Sequence, residues 1–439
     1  MIQSKEFKKT EVHFFATAYD YGMMNVDVNT ETKRQIMKQV IPTFSMARQT
    51  QALRPKLMDA LQNIVDTQQF IGGAHVDTFE KNLAAYLGVQ FAIACNSGTD
   101  ALWMALFALN NVKDSIVLTT PFSFIASSSE IVAFGAHPVF IDIEPDTFNI
   151  DPILLAEWLK KNAVMKNGKA VHQATGLHIS GIIPVDLFGQ CADYEKFHAI
   201  AEQWNLWIIE DTAQALGASI NGQKAGTFGN IGAISFYPTK NLGAFGDAGA
   251  CVTNDPQLAE RLNQLRHHGR KNAYEYNFLG INSRMDTFQA ALLTQKLPHL
   301  DGWNKRRAEI AQRYADALKE ISWLQLPTTK IGTHVFHQYS IMVGHGLRGD
   351  LEKHLANDGV QTRIFYPQVL PAIPFLQTHP ALATAIPVAE MTTQSILALP
   401  MWPELEDSEI DYVVSSIKKF AESVNIPKVK TWQASTQAA

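Results

Sequence analysis

Residues 91–109, FAIACNSGTDALWMALFAL, run from a short apolar stretch through a turn of small polar residues into a longer apolar stretch. The first part suits a strand covered on both faces, and the last part suits a helix packed back onto it. The same alternation recurs at 115–118 (SIVL), 137–141 (HPVFI), 181–185 (GIIPV), 206–209 (LWII) and 232–236 (GAISF), with helical patterns such as 194–204 between them. Strand and helix in alternation predict an α/β layer built on a mainly parallel sheet.

Further along, Trp303, Ile310, Tyr314, Leu318 and Ile321 recur at helical spacing in a charged stretch that begins after Pro298. A long helix is expected there, leading into a smaller α+β domain with a strand near 338–343 and a helix near 408–420. The expected organisation is an extension at 1–40, a large α/β domain at 41–297, a small C-terminal domain at 298–428 and a tail at 429–439.

A chain of 439 residues with 46% hydrophobic and 18% charged residues has room for two or three domains at roughly 150 residues each. Disorder and collagen-like structure are excluded on the same grounds. With 37 basic and 42 acidic residues the net charge is -5, which argues against nucleic acid as the main partner. Three cysteines, Cys95, Cys191 and Cys251, form no CxxC pair, so a disulfide framework and a structural metal site both lack support. The same cysteine usage suits a reducing cytosol, so a cytoplasmic location is expected, and polar residues interrupt every apolar run before it reaches about 18, which predicts no membrane span.

Three polar clusters follow apolar strands, where open α/β sheets place their ligand crevice. The turn Ser97, Gly98, Thr99 offers helix N–H groups and hydroxyls to an anion, or else it is an ordinary helix cap. It matches neither the P-loop nor the dinucleotide glycine pattern. Asp211 after NLWII can hold a protonated ring nitrogen, or cap the next turn. Lys240, in a glycine-rich loop after GAISF, is either a solvated surface group or a confined amine with a depressed pKa that forms Schiff bases. Taken together, a phosphate cradle, an aspartate and a Schiff-base lysine are the partners that pyridoxal phosphate requires. Residues 121–126 (PFSFIA) add Phe124 as an aromatic cover for the ring, although each phenylalanine there can also be core.

These motifs resemble the DegT/DnrJ/EryC1/StrS family of pyridoxal-phosphate-dependent aminotransferases acting on nucleotide-linked keto sugars. The resemblance runs from about residue 41 to about 420 and rests on FIGG, NSGTDAL, TTPFSFIAS, IIPVDLFGQCADYE, IIEDTAQALGA, ISFYPTKNLGAFGDAGACVT, INSRMDTFQAA and NKRRAEIAQRYADAL. It implies fold type I of the pyridoxal-phosphate enzymes, with a seven-stranded-type sheet. It also implies Lys240 as the Schiff-base residue, Asp211 on the pyridine nitrogen and Gln214 beside the ring. Ser97, Gly98, Thr99 and Ser235 would hold the phosphate, Phe124 would stack on the ring, and Asn282 would reach a partner's site in a homodimer with shared active sites.

Glutamate is the implied donor, in a ping-pong transamination, and SFYPTKNLGA with GQCADYE leans toward members acting on 3-keto rather than 4-keto sugars. Many members carry His where this chain has Asp186 and Phe365. Asp186, His337, Arg363 and Tyr366 fall in segments that approach the sugar in the family. Family dehydratases carry His in place of the lysine, so Lys240 argues for transamination. A cofactor-binding sensor without turnover is the alternative. Two basic clusters, 266–271 (RHHGRK) and 305–307 (KRR), are candidates for a diphosphate, the second also for a solvated helix face.

Overall fold

A computed structural model of the chain describes residues 40–109, 112–377, 380–424 and 426. The expected extension, up to residue 39, and the tail from 429 lie outside the described residues. The large sheet holds β1 (Phe91–Cys95), β2 (Ile116–Thr119), β3 (His137–Phe140), a hairpin of β4 (Ala163–Lys166) and β5 (Lys169–His172), β6 (His178–Ile183) and β7 (Trp207–Asp211). A separate two-stranded hairpin, β8 (Ser219–Ile220) and β9 (Gln223–Lys224), precedes its last members, β10 (Ile231–Ser235) and β11 (Gly249–Thr253). The strand order is β1-β11-β10-β7-β6-β2-β3. Because β11 is antiparallel to both β1 and β10 while the other neighbours are parallel, every strand on this path except β11 points the same way.

Among the described residues, eight helices accompany this sheet: α1 (Ala47–Thr67), α2 (Ala74–Leu87), α3 (Gly98–Ala108), α4 (Ala126–Ala133), α5 (Pro152–Asn162), α6 (Tyr194–Trp204), α7 (Pro256–Leu265) and α8 (Thr287–Lys296). They cover both faces, and the two-residue period of β1 shows how. Ile93 and Cys95 pack with α3 and α7, whereas Ala92 and Ala94 pack with α2 and α8. That double burial explains the continuously apolar strands in the sequence. Helix starts follow local chemistry: Asp151 and Asp255 cap α5 and α7, each followed by Pro in the first turn, and Asp193 caps α6.

A three-residue 3₁₀ turn at Leu297–His299, containing Pro298, leads into α9 (Leu300–Leu318). Beyond it lies a second sheet of β12 (Leu324–Gln325), β13 (Tyr339–Val343) and β14 (Ile396–Leu399), in that order and antiparallel. Helices α10 (Arg348–Asn357), α11 (Pro387–Ser395) and α12 (Asp407–Ser423) complete this part. Its core joins Ile310 and Tyr314 of α9 to Ile341, Leu397, Ile410 and Phe420. Ile41 belongs to this core too, bridged to Val360, so the first described residues pack against a region that follows residue 297 in sequence. Arg48 of α1 reinforces that contact with a bidentate pair to Glu409 of α12, at 2.6 and 2.9 Å.

A carboxylate of the large-sheet region also reaches across to α11. Asp142, just after β3, accepts the N–H groups of Val388 at 2.8 Å and Ala389 at 2.9 Å, which are first-turn donors of α11, and that of Ile143 at 2.9 Å. Helix α11 has no side-chain cap at its own start, so the large sheet supplies one from a distance. Replacing Asp142 with Ala is expected to cost about 1–2 kcal/mol in chemical denaturation. Amide exchange at Val388 and Ala389 should rise well above that of α3, and unchanged exchange there would refute the cap.

Candidate active site

The parallel strands end along one edge of the large sheet, and the turns after β1, β2, β7 and β10 meet there. After β1 the chain enters α3 with Ser97 as its cap, the Oγ accepting the Asp100 N–H at 3.0 Å. The Ser97 carbonyl takes the Ala101 N–H, so Gly98 and Thr99 present their N–H groups at the open end of the helix. Gly98 fits only because it lacks a side chain: a Cβ there would lie 2.6 Å from the Cβ of Ser235 at the end of β10. The turn therefore combines cap and cradle, and Ser235 closes it from the neighbouring element.

Asp211 ends β7 with its side chain buried. Its Oδ2 accepts the Ser127 hydroxyl at 2.8 Å, and its Oδ1 accepts the Ala213 N–H at 3.2 Å. Burial raises its pKa, opposed by those two donors and by the nearby charge of Lys240. Lys240 sits in the turn after β10, its N–H bonded to the Tyr237 carbonyl at 2.8 Å. Burial lowers the amine to about 8, with Asp211 pulling the other way. A substantial neutral fraction near physiological pH makes it a competent nucleophile and proton carrier.

Gln214 receives the Phe188 N–H on Oε1 at 2.8 Å and donates from Nε2 to the Tyr366 hydroxyl at 3.1 Å, which brings Tyr366 to the site. His337 is buried with Nδ1 3.1 Å from Oδ1 of Asn241, the residue after Lys240. Burial, with the charges of Lys240 and Arg307, drives its pKa well down, so the ring is neutral. Asn241 also donates to Asn304 at 2.7 Å and to the Val335 carbonyl at 3.1 Å, tying the lysine loop to α9. Of the two phenylalanines after β2, Phe122 is fully buried against Phe188 and Tyr366, whereas Phe124 is 53% exposed.

Asp186 turns inward and is fully buried: it accepts the Ala192 N–H and the Tyr194 hydroxyl, both at 2.9 Å, and the Thr212 hydroxyl at 2.7 Å. Those three bonds commit the carboxyl to the protein interior. Phe365 packs at the edge of an apolar cluster with Phe122 and Phe188. Arg363 is exposed, its backbone paired with Ala398, and Asn282 is exposed, its backbone bridged to His267.

The basic clusters divide similarly. Arg266 pairs with Glu80, Arg306 with Asp407 at 2.6 Å, and the fully buried Arg307 holds the carbonyls of Phe336, His337 and Met401. His268, Arg270 and Lys271 remain exposed. Ser127 and Asn241, which contact the central pair or its loop, lie inside the motifs TTPFSFIAS and ISFYPTKNLGAFGDAGACVT, where nothing in the residue pattern sets them apart. Among the described residues no cluster of His, Cys, Asp and Glu is placed to hold a metal ion, and no helix is long and apolar enough to cross a membrane.

The donor set fits pyridoxal phosphate: an amine with a lowered pKa, a buried carboxylate near it, and a helix-start cradle that a Cβ would fill. Residues 51–418 match the model of the DegT/DnrJ/EryC1/StrS aminotransferase family. A pleiotropic regulatory protein of Geobacillus stearothermophilus is 39% identical over 87% of this chain and 98% of its own length. The UDP-N-acetyl-3-dehydro-alpha-D-glucosamine 3-aminotransferase of Acidithiobacillus ferrooxidans is 38% identical over 86% and 97%. Among solved structures, NtdA of Bacillus subtilis with bound cofactor PMP superposes with a TM-score of 0.77, at 28% identity over 89% of this chain and 87% of that one. These likenesses confirm the expected fold type.

The inward turn of Asp186 has a measurable consequence. Thr212 has one hydroxyl proton, yet its Oγ1 lies 2.7 Å from Asp186 and 3.2 Å from Glu210, both carboxyls being fully buried. Burial pushes Asp186 up to about 6, and burial together with Asp186 pushes Glu210 well up, so the folded protein keeps a proton that the unfolded chain loses near pH 4. Stability from the proton on Asp186 is lost as pH rises from about 4 through about 6, and that from the proton on Glu210, which is held more tightly, goes on being lost at higher pH. Asp186→Asn should therefore gain in Tm relative to wild type between pH 5 and pH 8; parallel Tm curves would refute the shared proton.

Proposed function

The chain belongs to the DegT/DnrJ/EryC1/StrS aminotransferase family, whose enzymes use pyridoxal phosphate, and we propose that it moves an amino group from glutamate to the keto group of a nucleotide-linked sugar. The observation that carries this reading is the pairing of Lys240, with its pKa of about 8, and the buried Asp211 beside an open helix start. When bound, pyridoxal phosphate supplies an aldehyde that takes up amines and a ring that withdraws electrons from the adjoining carbon.

The residues then divide the work. Gly98, Thr99 and Ser235 hold the phosphate through N–H and O–H donors. Asp211, kept ionised by its two hydrogen-bond donors, holds the proton of the ring nitrogen. The Nζ of Lys240 takes a proton from the donor's α-carbon and later gives one to the sugar carbon that gains nitrogen, as a general base and then a general acid. Phe124 covers the ring, and His337 and Tyr366 face the sugar, each already fixed by an amide, Asn241 and Gln214. The reaction runs in two half-reactions, and the 3-position of the sugar is favoured by the motifs SFYPTKNLGA and GQCADYE and by the name of the A. ferrooxidans relative.

A homodimer with shared sites is part of this reading. The loop before Asn282 exposes Tyr274 at 92% and Leu279 at 90%, large apolar groups that a second copy would cover. Arg270 of the same loop supplies positive charge suited to a diphosphate.

The regulatory name of the G. stearothermophilus relative keeps a sensor without turnover as a second reading. Purified protein is to be incubated with glutamate and a panel of 3-keto and 4-keto nucleotide sugars, with products detected by mass. Amino-sugar formation from a 3-keto member and its loss by at least a thousandfold in Lys240→Ala are expected. Bound cofactor that glutamate leaves unconverted, with no sugar product, would favour the sensor, and full activity of Lys240→Ala would overturn the assignment.

A further inference from the structure

We propose that Ser127, backed by Ser123, is a positioning residue that keeps Asp211 ionised and aimed at the ring nitrogen of the cofactor. The proposal rests on the reading of the site given above. Ser127 Oγ lies 2.8 Å from Asp211 Oδ2, and Ser123 Oγ lies 3.0 Å from Ser127 Oγ. All three side chains are buried, with exposures of 3%, 2% and 4% for Ser123, Ser127 and Asp211.

Proton counting fixes the direction of this chain. An ionised carboxylate only accepts, so Ser127 gives its single proton to Asp211 and must itself accept from Ser123. With Ala213 N–H on the other oxygen, the carboxylate plane is held from two sides. The cation acting on Asp211 is Lys240, whose amine is the reacting group, so its charge is not a permanent support. Neutral donors on Asp211 persist through the whole cycle, and a buried carboxylate without them would tend to take up a proton itself. Ser127 also joins this support to the ring cover, because its N–H donates to the Phe124 carbonyl at 3.3 Å.

The test compares two probes on apo-protein: pyridoxal 5'-phosphate, and 1-deazapyridoxal 5'-phosphate, in which carbon replaces the ring nitrogen. Affinities are read by equilibrium dialysis for wild type, Ser127→Ala, Ser127→Thr and Ser123→Ala. Ser127→Ala should lose about tenfold in affinity for pyridoxal phosphate and nothing for the deaza probe, because only the first has a nitrogen for Asp211 to hold. Ser127→Thr should restore the affinity, and Ser123→Ala should lose a smaller factor with the same selectivity.

Equal losses on both probes, or none on pyridoxal phosphate, would overturn the role of Ser127. Should Ser127→Ala not fold, Ser127→Cys, a weaker donor of similar size, carries the same comparison. Failure of the underlying reading is separately visible, since wild type would then bind neither probe or bind both alike.

Discussion

A carboxylate and an amine are kept close together in surroundings that disfavour both charges, and the architecture is organised around that pair. Asp211 ends β7 and Lys240 lies in the turn after β10, its parallel neighbour, so strand pairing brings the two to the same edge of the sheet. Burial lowers the lysine and raises the aspartate, while each charge partly offsets the effect on the other. A site poised this way needs donors that do not titrate, and hydroxyls and backbone N–H groups provide them.

A lowered lysine pKa does not by itself identify the reacting amine. Lys296 is also buried and also lowered to about 8, yet its amine donates to the Gly243 carbonyl and lies near the rings of Phe245 and Trp303. It braces the far end of the lysine loop rather than opening onto the strand edge. What distinguishes Lys240 is its setting: Asp211 within charge range, and His337 held by the neighbouring Asn241.

The parts of the fold that were legible in the sequence are those whose physics is local. Apolar runs buried on both faces marked the strands, and the expected helix at 194–204 is α6, Tyr194–Trp204. The cap in the turn NSGTD was legible for the same reason, since Ser97 and Asp100 are neighbours in sequence, whereas the close approach of Gly98 to Ser235 is made by the fold. Asp186 was not, because strand sequence says nothing about which buried partners a terminal side chain meets, and Tyr194, Thr212 and Glu210 lie 8 to 26 positions away. Ser127 reads in sequence as part of a serine-rich helix start, and only the fold, bringing β2 and β7 ends together across 84 positions, gives it a partner. Ile41 crossed the expected boundary for a similar reason: its partner Val360 follows it by most of the chain.

The central claim is that Lys240, among all lysines, is the amine that meets the cofactor's aldehyde. Borohydride reduction of the protein with pyridoxal phosphate at pH 8, followed by peptide mapping by mass, tests this most directly. The account predicts one phosphopyridoxyl group per chain, on the peptide containing Lys240. A label on Lys296 or spread over surface lysines, with Lys240 unmodified, would contradict it.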